Sequence, residues 1–267
     1  MKKTEIEKIP YTLPEFFDKY VSGARIYDSS CSPLARVYFI DRDGGYYLKR
    51  GASGSLEREA LMTEYFYKKG LGAEVLGYRK GESDLLLTRA VVGEDCTTAK
   101  YLADPKRLAS IMGERLRALH EINAGDCPIT DLTREYIAIA EQNYKADSYS
   151  KEHFPDSFGY RSGEEAYKVL TEGKGLMKAE VLVHGDYCLP NIMLDDWRFS
   201  GFIDLGNAGI GDRHMDLFWG QWTIGFNLRL IGERYDKAYE DRFFDAYGRD
   251  KIDENKLRIV AASAVLG

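Results

Sequence analysis

The stretch Val183-His184-Gly185-Asp186-Tyr187-Cys188-Leu189-Pro190-Asn191 decides the fold of this chain, together with the later segment Ile203-Asp204-Leu205-Gly206. Asp186 and Asn191 are five residues apart, and Asp204 follows Asn191 by thirteen residues. Each segment follows a run of apolar residues of the kind that form strands. The pattern predicts two loops at strand ends, which together offer two carboxylates and one amide as oxygen ligands.

This set of oxygen ligands suits the transfer of a phosphoryl group. Such a transfer needs a carboxylate that positions a hydroxyl and accepts its proton, and oxygen ligands that hold magnesium on the phosphates. Protein kinases use His-Arg-Asp-x-x-x-x-Asn followed by Asp-Phe-Gly, and the spacing within the first motif is kept here. Either loop alone is typical of an ordinary turn, whereas the two together favour a kinase.

A second feature is a carboxylate on the apolar face of a predicted helix. On the helix expected between Ser55, its N-cap, and Gly70, Glu59 shares a face with apolar residues at helical spacing. A buried carboxylate costs several kcal/mol unless it is paired. Lys49, which ends the preceding strand, is the natural partner, as in kinases where a helix glutamate orients a phosphate-binding lysine. A structural ion pair, or a helix turned so that Glu59 meets water, is the alternative.

The chain as a whole divides into a β-rich first third and a helical remainder. Strands are predicted at Arg36–Ile40, Tyr46–Lys49 and Asp84–Thr88. The turn Asp43-Gly44-Gly45 joins the first two strands, and Asp104-Pro105 begins a helix after residue 90. The sequence therefore predicts an α+β fold with two lobes: a small β-rich N-terminal nucleotide-binding lobe over residues 1–90, and a larger helical C-terminal catalytic and substrate-binding lobe over residues 91–267.

Composition and charge narrow the class of protein. The 267 residues are 44% hydrophobic and 30% charged, which is typical of a soluble globular protein. The net charge of −6 argues against nucleic-acid binding. Because we find no membrane-length apolar run and no signal peptide, we expect a cytoplasmic protein without a membrane partner. Scattered cysteines and histidines argue against a zinc site, and we expect a monomer or a weak dimer.

Negative charge is concentrated between Asp126 and Glu165. This segment holds nine carboxylates against four cations. One interpretation is a solvated helical face. The other is a surface that attracts a cationic ligand.

These residues resemble the aminoglycoside 3'-phosphotransferases, within the wider group of antibiotic and choline kinases. The resemblance runs over nearly the whole chain, and it is most specific in Cys188-Leu189-Pro190-Asn191-Ile192 and in Phe199-Ser200-Gly201-Phe202-Ile203-Asp204-Leu205-Gly206. It implies a protein-kinase-like fold that uses Mg²⁺ and ATP, or GTP, to phosphorylate a hydroxyl of a small molecule, which can be cationic. An aminoglycoside, hence antibiotic resistance, is the first candidate. Another small alcohol (another antibiotic, an amino sugar, choline or homoserine) is the alternative.

The resemblance also implies a role for each candidate site residue. Asp186 would be the catalytic base, and Asn191 and Asp204 would hold magnesium. Lys49 would bind the α and β phosphates, with Glu59 holding it in place. The other implied nucleotide-binding positions are Ser32 over the phosphates, Tyr47 stacked on the base, Leu87 behind the base, and Arg89 and Ala90 at the base edge through backbone groups.

The departures from the family pattern lie on the acceptor side. Asn207 stands where the family has an arginine after Asp-Leu-Gly, and another family arginine is replaced near Trp222. Close to the end of the chain, Ala264 and Val265 replace an acidic pair, and Gly267 replaces an aromatic residue. The sequence therefore predicts intact phosphate machinery beside an altered acceptor clamp.

Two further interpretations of the paired loops stay open. One is a nucleotide-binding relative without catalytic activity, although no catalytic position is lost. The other is a metal-dependent phosphohydrolase that uses Asp186 and Asp204, for which additional His or Asp ligands would be expected.

Overall fold

The computed structural model describes residues 3–151, 158–234 and 236–267. Packing divides the chain into two units. The first comprises Met1–Thr98 with Pro190–Gly206, and the second comprises Ala99–Leu189 with Asn207–Gly267. The domain boundary expected at residue 90 stays a prediction. Two of the nine carboxylates of the acidic segment, Glu152 and Asp156, lie outside the described residues.

The strands and helices of the described residues are as follows. The strands are β1 (Thr4–Ile6), β2 (Arg25–Asp28), β3 (Arg36–Asp41), β4 (Tyr46–Ala52), β5 (Val75–Arg79), β6 (Ser83–Arg89), β7 (Glu94–Asp95), β8 (Val181–Val183), β9 (Ile192–Asp195), β10 (Arg198–Phe202) and β11 (Gly209–Gly211). The α-helices are α1 (Asp18–Val21), α2 (Glu57–Lys68), α3 (Ala99–Leu102), α4 (Pro105–His120), α5 (Leu132–Lys145), α6 (Gly163–Gly173), α7 (His214–Leu230), α8 (Lys237–Tyr247) and α9 (Glu254–Leu266). A search of the described helices finds none with the length and apolar character that a bilayer crossing requires.

The first unit is built on an antiparallel sheet with the strand order β1-β2-β3-β4-β6-β5. Asp43, Gly44 and Gly45 all have positive φ angles and form the predicted turn between β3 and β4. One face of the sheet buries a cluster that includes Tyr38, Ile40 and Leu48. A smaller sheet in the same unit has the order β10-β9-β7. This unit is mainly β-structure, as the sequence predicts for the first part of the chain.

The start of α2 differs from the prediction. The N-cap is Leu56, not Ser55, whose hydroxyl donates to the carbonyl of Ala52. The carboxylate of Asp84, fully buried in β6, accepts hydrogen bonds from the amides of Leu56 at 3.0 Å and Gly54 at 2.9 Å. An acid distant in sequence therefore satisfies the amides at the helix start, which local capping rules cannot reveal.

The second unit is mainly helical. Asp104 caps α4 as predicted, because its carboxylate accepts from the amide of Arg107. Helix α4 packs against α8, and a Cβ at Gly113 would lie 2.3 Å from the carbonyl oxygen of Phe243, so glycine permits the close approach. Helix α9 packs against α5, α6 and α7, and β8 pairs with β11.

A buried carboxylate joins several segments of the second unit. Asp212 accepts hydrogen bonds from the Lys178 amide, from Lys256 Nζ at 2.8 Å and from the amide and Nδ1 of His214. The amide of Asp253, the N-cap of α9, donates to Nε2 of the same imidazole. Hydrogen bonds from His214 and Lys256 outweigh the effect of burial and hold the pKa of Asp212 well below its ordinary value. Asp212 therefore fixes the beginnings of α7 and α9 as a charged carboxylate.

Candidate active site

The centre of the site in the first unit is an ion pair between β4 and α2. Nζ of Lys49 lies 2.7 Å from Oε2 and 3.0 Å from Oε1 of Glu59. The same Nζ lies 2.9 Å from Oδ1 of Asp204, which follows β10. The contact that the sequence predicts between Lys49 and Glu59 is therefore present, and Asp204 completes a three-residue cluster.

Burial and mutual attraction set the charges of this cluster. Glu59 is 9% exposed, and burial raises the pKa of its carboxyl; the Lys49 ammonium opposes this rise and the Asp204 carboxylate adds to it. Burial lowers the pKa of Lys49, but the two carboxylates outweigh it, so that the pKa is raised above its ordinary value. Lys49 is thus firmly protonated, as a phosphate-binding group must be.

The register of the sheet determines which side chains share the face of Lys49. Lys49 pairs with Val37 of β3 and with Leu86 of β6, while Tyr47 pairs with Thr88. Directly opposite residues point to the same face of a sheet. These five side chains line one pocket of the first unit, whose other lining residues are Glu59, Thr63, Ala73, Arg89, Val91, Asn191, Met193, Ile203 and Asp204.

The structure places Leu87 elsewhere than predicted. Leu87 pairs with Leu48, and both side chains are fully buried in the core cluster on the opposite face of the sheet. Because successive side chains of a strand point to opposite faces, the face of Lys49 takes Leu86 and Thr88 and excludes Leu87. The expected position of Leu87 behind a bound base is therefore wrong by one residue.

Backbone hydrogen bonds limit how Arg89 and Ala90 could contact a base. The amide of Arg89 donates to the carbonyl of Glu74 at 2.9 Å, and the amide of Ala90 donates to the carbonyl of Gly45 at 3.0 Å. Each residue has only one backbone donor, so a contact of Arg89 or Ala90 to a base would use a carbonyl oxygen. Tyr47 lines the pocket, and burial raises the pKa of its hydroxyl to about 12.

The predicted phosphate cover lies in the turn between β2 and β3. Ser32 is exposed there, and its Oγ accepts a hydrogen bond from the Leu34 amide at 3.1 Å. Ser30 Oγ accepts from the amide of Val37, a pocket residue, at 2.9 Å. These bonds shape the turn, and the role of Ser32 in binding phosphates stays a prediction.

Asn191 and Asp204 offer oxygen atoms to the same pocket of the first unit. The carbonyl of Asn191 accepts from the amide of Ile203 at 3.0 Å, which ties the two loops together next to Asp204. The side chain of Asp204 is 52% exposed, and its backbone has a φ of 59°, in the left-handed region that aspartate tolerates better than most residues. One carboxylate and one amide oxygen fit Mg²⁺, which takes its other ligands from phosphates and water.

In the second unit, Asp186 lies in a loop whose shape requires glycine. Gly185 has a φ of 79°, and a Cβ at this position would lie 1.8 Å from the carbonyl oxygen of Asn207. The amide of Asp186 donates to Nδ1 of His184 at 3.3 Å, and its carbonyl accepts from the Cys188 amide at 2.8 Å. The His-Gly-Asp tripeptide is therefore a tight turn that fixes the backbone of Asp186.

A buried acid of α7 holds this loop. Asp216 is fully buried and accepts from the amides of His184 at 2.7 Å and Gly185 at 2.8 Å. Nε2 of His120 lies 3.2 Å from the same carboxylate, while its Nδ1 lies 2.8 Å from the hydroxyl of Tyr247. Arg213 donates to that hydroxyl. The network therefore ties the loop to α4, α7 and α8.

Sequence analysis did not identify this network. Asp216 stands among apolar residues of α7, which is the signal that pointed to Glu59 in α2. Its partners are backbone amides, and a sequence does not show which amides lack a partner. Similarly, Leu86, Thr88 and Val91 line the pocket of the first unit without belonging to a motif, and only the register of β6 with β4 shows that the first two share the face of Lys49.

Known proteins are similar to the chain over most of its length. A family model described as "Phosphotransferase enzyme family" matches residues 30–258. A probable aminoglycoside 3'-phosphotransferase of Lactococcus lactis subsp. lactis is 47% identical over 266 residues, with 99% of this chain and 97% of that protein covered.

Solved structures give the same picture of the fold. The crystal structure of an aminoglycoside-3'-phosphotransferase of type VIII has a TM-score of 0.77 at 21% identity, covering 95% of this chain and 100% of that chain. An aminoglycoside phosphotransferase from Streptomyces rimosus in complex with ADP and streptomycin has a TM-score of 0.67 at 26% identity, covering 87% of this chain and 91% of that chain. These matches confirm the resemblance noted in the sequence and the α+β, protein-kinase-like fold.

Proposed function

The chain belongs to the phosphotransferase enzyme family, and from this premise we propose that it transfers the γ-phosphate of ATP, or GTP, to a hydroxyl of an aminoglycoside. The observation that carries the proposal is the cluster of Lys49, Glu59 and Asp204, with Asn191 in the same pocket. A cation fixed between two acids, beside hard oxygen ligands, suits the phosphates and the metal of a bound nucleotide.

The pocket of the first unit supports a nucleotide site. The base would lie between apolar side chains such as Leu86, Val91 and Ile203, with the ring of Tyr47 against it. Lys49 would neutralise the α and β phosphates, and Glu59 would hold the ammonium in place. The turn that contains Ser32 would cover the phosphates.

Asn191 and Asp204 would hold Mg²⁺. When bound, the ion would neutralise charge on the phosphate oxygens. Oδ1 of Asp204 already contacts Lys49 at 2.9 Å, so the ion would share this carboxylate with the lysine, and Glu59 would keep Lys49 in the pocket beside it. The proposal therefore gives Glu59 a function beyond pairing a buried charge.

Asp186 would act on the acceptor. Its carboxylate would accept a hydrogen bond from the attacking hydroxyl and then take its proton as the new bond from oxygen to the γ-phosphorus forms. The bond from the γ-phosphorus to the bridging oxygen breaks in the same step, and the nucleoside diphosphate leaves with that electron pair. Asp216 fixes the loop from behind through the amides of His184 and Gly185.

The acceptor class follows from the relatives. The Lactococcus lactis relative is named a probable aminoglycoside 3'-phosphotransferase, and the Streptomyces rimosus structure contains streptomycin with ADP. Another small alcohol (a different antibiotic, an amino sugar, choline or homoserine) is the second candidate, because Asn207, Trp222, Ala264 and Val265 depart from the family pattern on the acceptor side. We further propose that the enzyme works in the cytoplasm as a monomer or weak dimer and does not bind nucleic acid, consistent with its net charge of −6.

An acceptor screen tests this proposal. Release of nucleoside diphosphate is measured with ATP or GTP, with magnesium, and with kanamycin, neomycin, choline or homoserine as the acceptor, for the wild type and Asp186→Asn. We expect aminoglycoside-dependent release that the variant loses. Release that depends on choline or homoserine alone would favour the second candidate, and release that needs no acceptor would favour a phosphohydrolase.

A further inference from the structure

Helix α7 carries a row of aromatic rings that the proposed chemistry leaves unused. Trp219 and Trp222 have ring centroids 5.5 Å apart, and Trp222 stacks on Phe226 at 4.5 Å with an interplanar angle of 20°. Phe158 packs edge-on against both tryptophans at 6.1 Å. Phe226 is 38% exposed, and both tryptophans are half-buried. We name Trp219, Trp222 and Phe226 the aromatic shelf.

The aromatic shelf adjoins the loop of Asp186 within the second unit. Thr223 of α7 accepts a hydrogen bond through Oγ1 from the amide of Leu189, three residues after Asp186, at 3.2 Å. At 3.6 residues per turn, Trp219 and Phe226 project within about 60° of Thr223 around the helix, and Trp222 about 100° away. The shelf therefore lies on the side of α7 that meets the loop.

Two polar side chains of α7, those of Asn227 and Asp216, are already bonded within the protein. Nδ2 of Asn227 donates to the carbonyl oxygen of Thr223 at 2.8 Å and to its Oγ1 at 3.1 Å. The only carboxylate in the sequence of α7 is Asp216, which is fully buried and bound to the loop amides. Because α7 presents no acid on its exposed surface, it offers a ligand ring faces rather than negative charge.

From this arrangement we infer that the aromatic shelf binds the phosphate acceptor, and that it contacts the apolar face of a saturated sugar ring. The axial C–H bonds of such a ring form a flat apolar surface that can cover an indole or phenyl face, and ring contacts already hold the shelf in place, which lowers the entropic cost of binding. The inference rests on the proposed function and specifies its acceptor site. On α7, the acceptor would therefore be bound by stacking on aromatic rings instead of by ion pairs.

The test uses kanamycin as a probe with sugar rings and homoserine as an alcohol without a ring. Steady-state kinetics compare the wild type with Phe226→Ala, Trp222→Leu and, as a control, Ile231→Ala, which removes an exposed apolar side chain outside the shelf. We expect the two shelf variants to raise the KM for kanamycin about tenfold, the effect of one lost aromatic contact. The KM for ATP and all constants of the control should stay unchanged.

A binding measurement separates this inference from the proposed function. The three tryptophans are Trp197, Trp219 and Trp222, so a Trp197→Phe enzyme reports fluorescence from the shelf alone. Kanamycin should change this emission with saturation and homoserine, which has neither a sugar ring nor a quaternary ammonium group, should not, whether or not turnover occurs.

Two results would overturn the inference. One is an unchanged KM for kanamycin in both shelf variants of an enzyme that does phosphorylate it. The other is a wild-type dimer that Phe226→Ala converts to a monomer with unchanged kinetics, which would make the shelf a contact between two copies. Loss of phosphate transfer to every acceptor, with a saturable fluorescence change, would refute the proposed function and leave the shelf as a binding site.

Discussion

The nucleotide pocket of the first unit depends on charged side chains, whereas the aromatic shelf of the second unit consists of uncharged rings. The pocket places Lys49 between Glu59 and Asp204, with contacts of 2.7 and 2.9 Å. The shelf consists of Trp219, Trp222 and Phe226 on a helix with no exposed acid. Phosphates have the same charge and shape in every nucleotide, so their site is specified by fixed charges. An acceptor differs between related kinases, so its site is adjusted through apolar area.

This contrast predicts different outcomes for substitutions in the two regions. Charged groups in the pocket depend on each other, because removing one leaves another buried without a partner. Rings on the shelf carry no charge, so that removing one leaves no buried charge without a partner and has a modest cost. We therefore expect variants of the pocket to abolish activity and variants of the shelf to change which acceptor is used.

The largest expected effect is at Asp186. Replacing Asp186 with Ala should lower kcat by roughly 10²–10⁴, the usual range for loss of a general base, while nucleotide binding survives because the carboxylate does not belong to the nucleotide pocket. Single-turnover kinetics and nucleotide titration measure the two quantities. A kcat close to that of the wild type would contradict the role of Asp186.

The next effect concerns the stability of the charged cluster. Lys49→Met leaves Glu59, whose side chain is 11% exposed, without its cation, and should lower the free energy of unfolding by about 3–5 kcal/mol. The double variant with Glu59→Gln should recover part of this loss. Urea unfolding of both single variants and the double variant gives the coupling energy.

A matched control for that cycle uses Glu57, the first residue of the same helix, and Lys80, which follows β5. Lys80 and Glu57 also form a contact of 2.7 Å, but their side chains are 56% and 61% exposed. Their coupling should be about 0–1 kcal/mol. If the Lys49–Glu59 cycle gives a coupling as small as the control, the two residues do not interact as the pocket requires.

A smaller effect is expected when the pH is lowered: the second unit, which carries the shelf, should lose stability through Asp212. The pKa of Asp212 is held below its ordinary value of 3.8, so the folded state releases this proton more readily than the unfolded state. Its contribution to stability is therefore present above about pH 4 and is lost as the pH falls further, at about 1.4 kcal/mol per unit of pKa difference. Urea unfolding of Asp212→Asn should show a weaker dependence on pH in this acid range, and an unchanged dependence would show that other carboxylates carry it.

The smallest expected effect distinguishes charge from stacking in acceptor binding. We propose that the acidic Asp126–Glu165 segment attracts a cationic acceptor over distances that salt screens, whereas the shelf acts by contact. Because Ala264 and Val265 replace an acidic pair of the family pattern, we expect a high KM for kanamycin. This KM should rise several-fold with salt in the wild type, and by the same factor in Phe226→Ala. Ala264→Asp, at a half-buried position of α9, should lower the KM at low salt only. A KM that does not respond to salt would contradict the role of the acidic segment.

The structure shows at which of the two positions near the end of α9 an acid of the family pattern can be restored. Restoring both acids of the family pattern would place a glutamate at position 265, but Val265 is 3% exposed. A charge there would be buried without a partner and would destabilise the unit. The substitution at Ala264 is therefore the informative one.

The sequence predicts those parts of the site that depend on local rules. The Lys49–Glu59 contact follows from helical spacing and the cost of burying an acid, and the turn at Gly185 follows from the need for a positive φ. Leu87 was misplaced because a motif shows only that a residue lies near the site. Which side chains of β6 share the face of Lys49 depends on the register of β6 with β4.

The rest depends on partners distant in sequence. Asp84 caps α2 from β6, and Asp216 holds the His184 and Gly185 amides from α7. The stack of Trp222 on Phe226 is a consequence of helical spacing, yet aromatic residues at this spacing usually indicate a core. Only the exposed fraction of Phe226 shows that these rings form a surface.

Following the γ-phosphate shows directly whether the chain transfers a phosphoryl group to an aminoglycoside hydroxyl. The wild type is given ATP labelled at the γ-phosphate, magnesium and kanamycin, and the label is followed to the acceptor or to inorganic phosphate, with Asp186→Asn as the control. We expect label on one hydroxyl of kanamycin in the wild type and none in the variant. Label that appears only in inorganic phosphate, at the same rate with and without an acceptor, would contradict it.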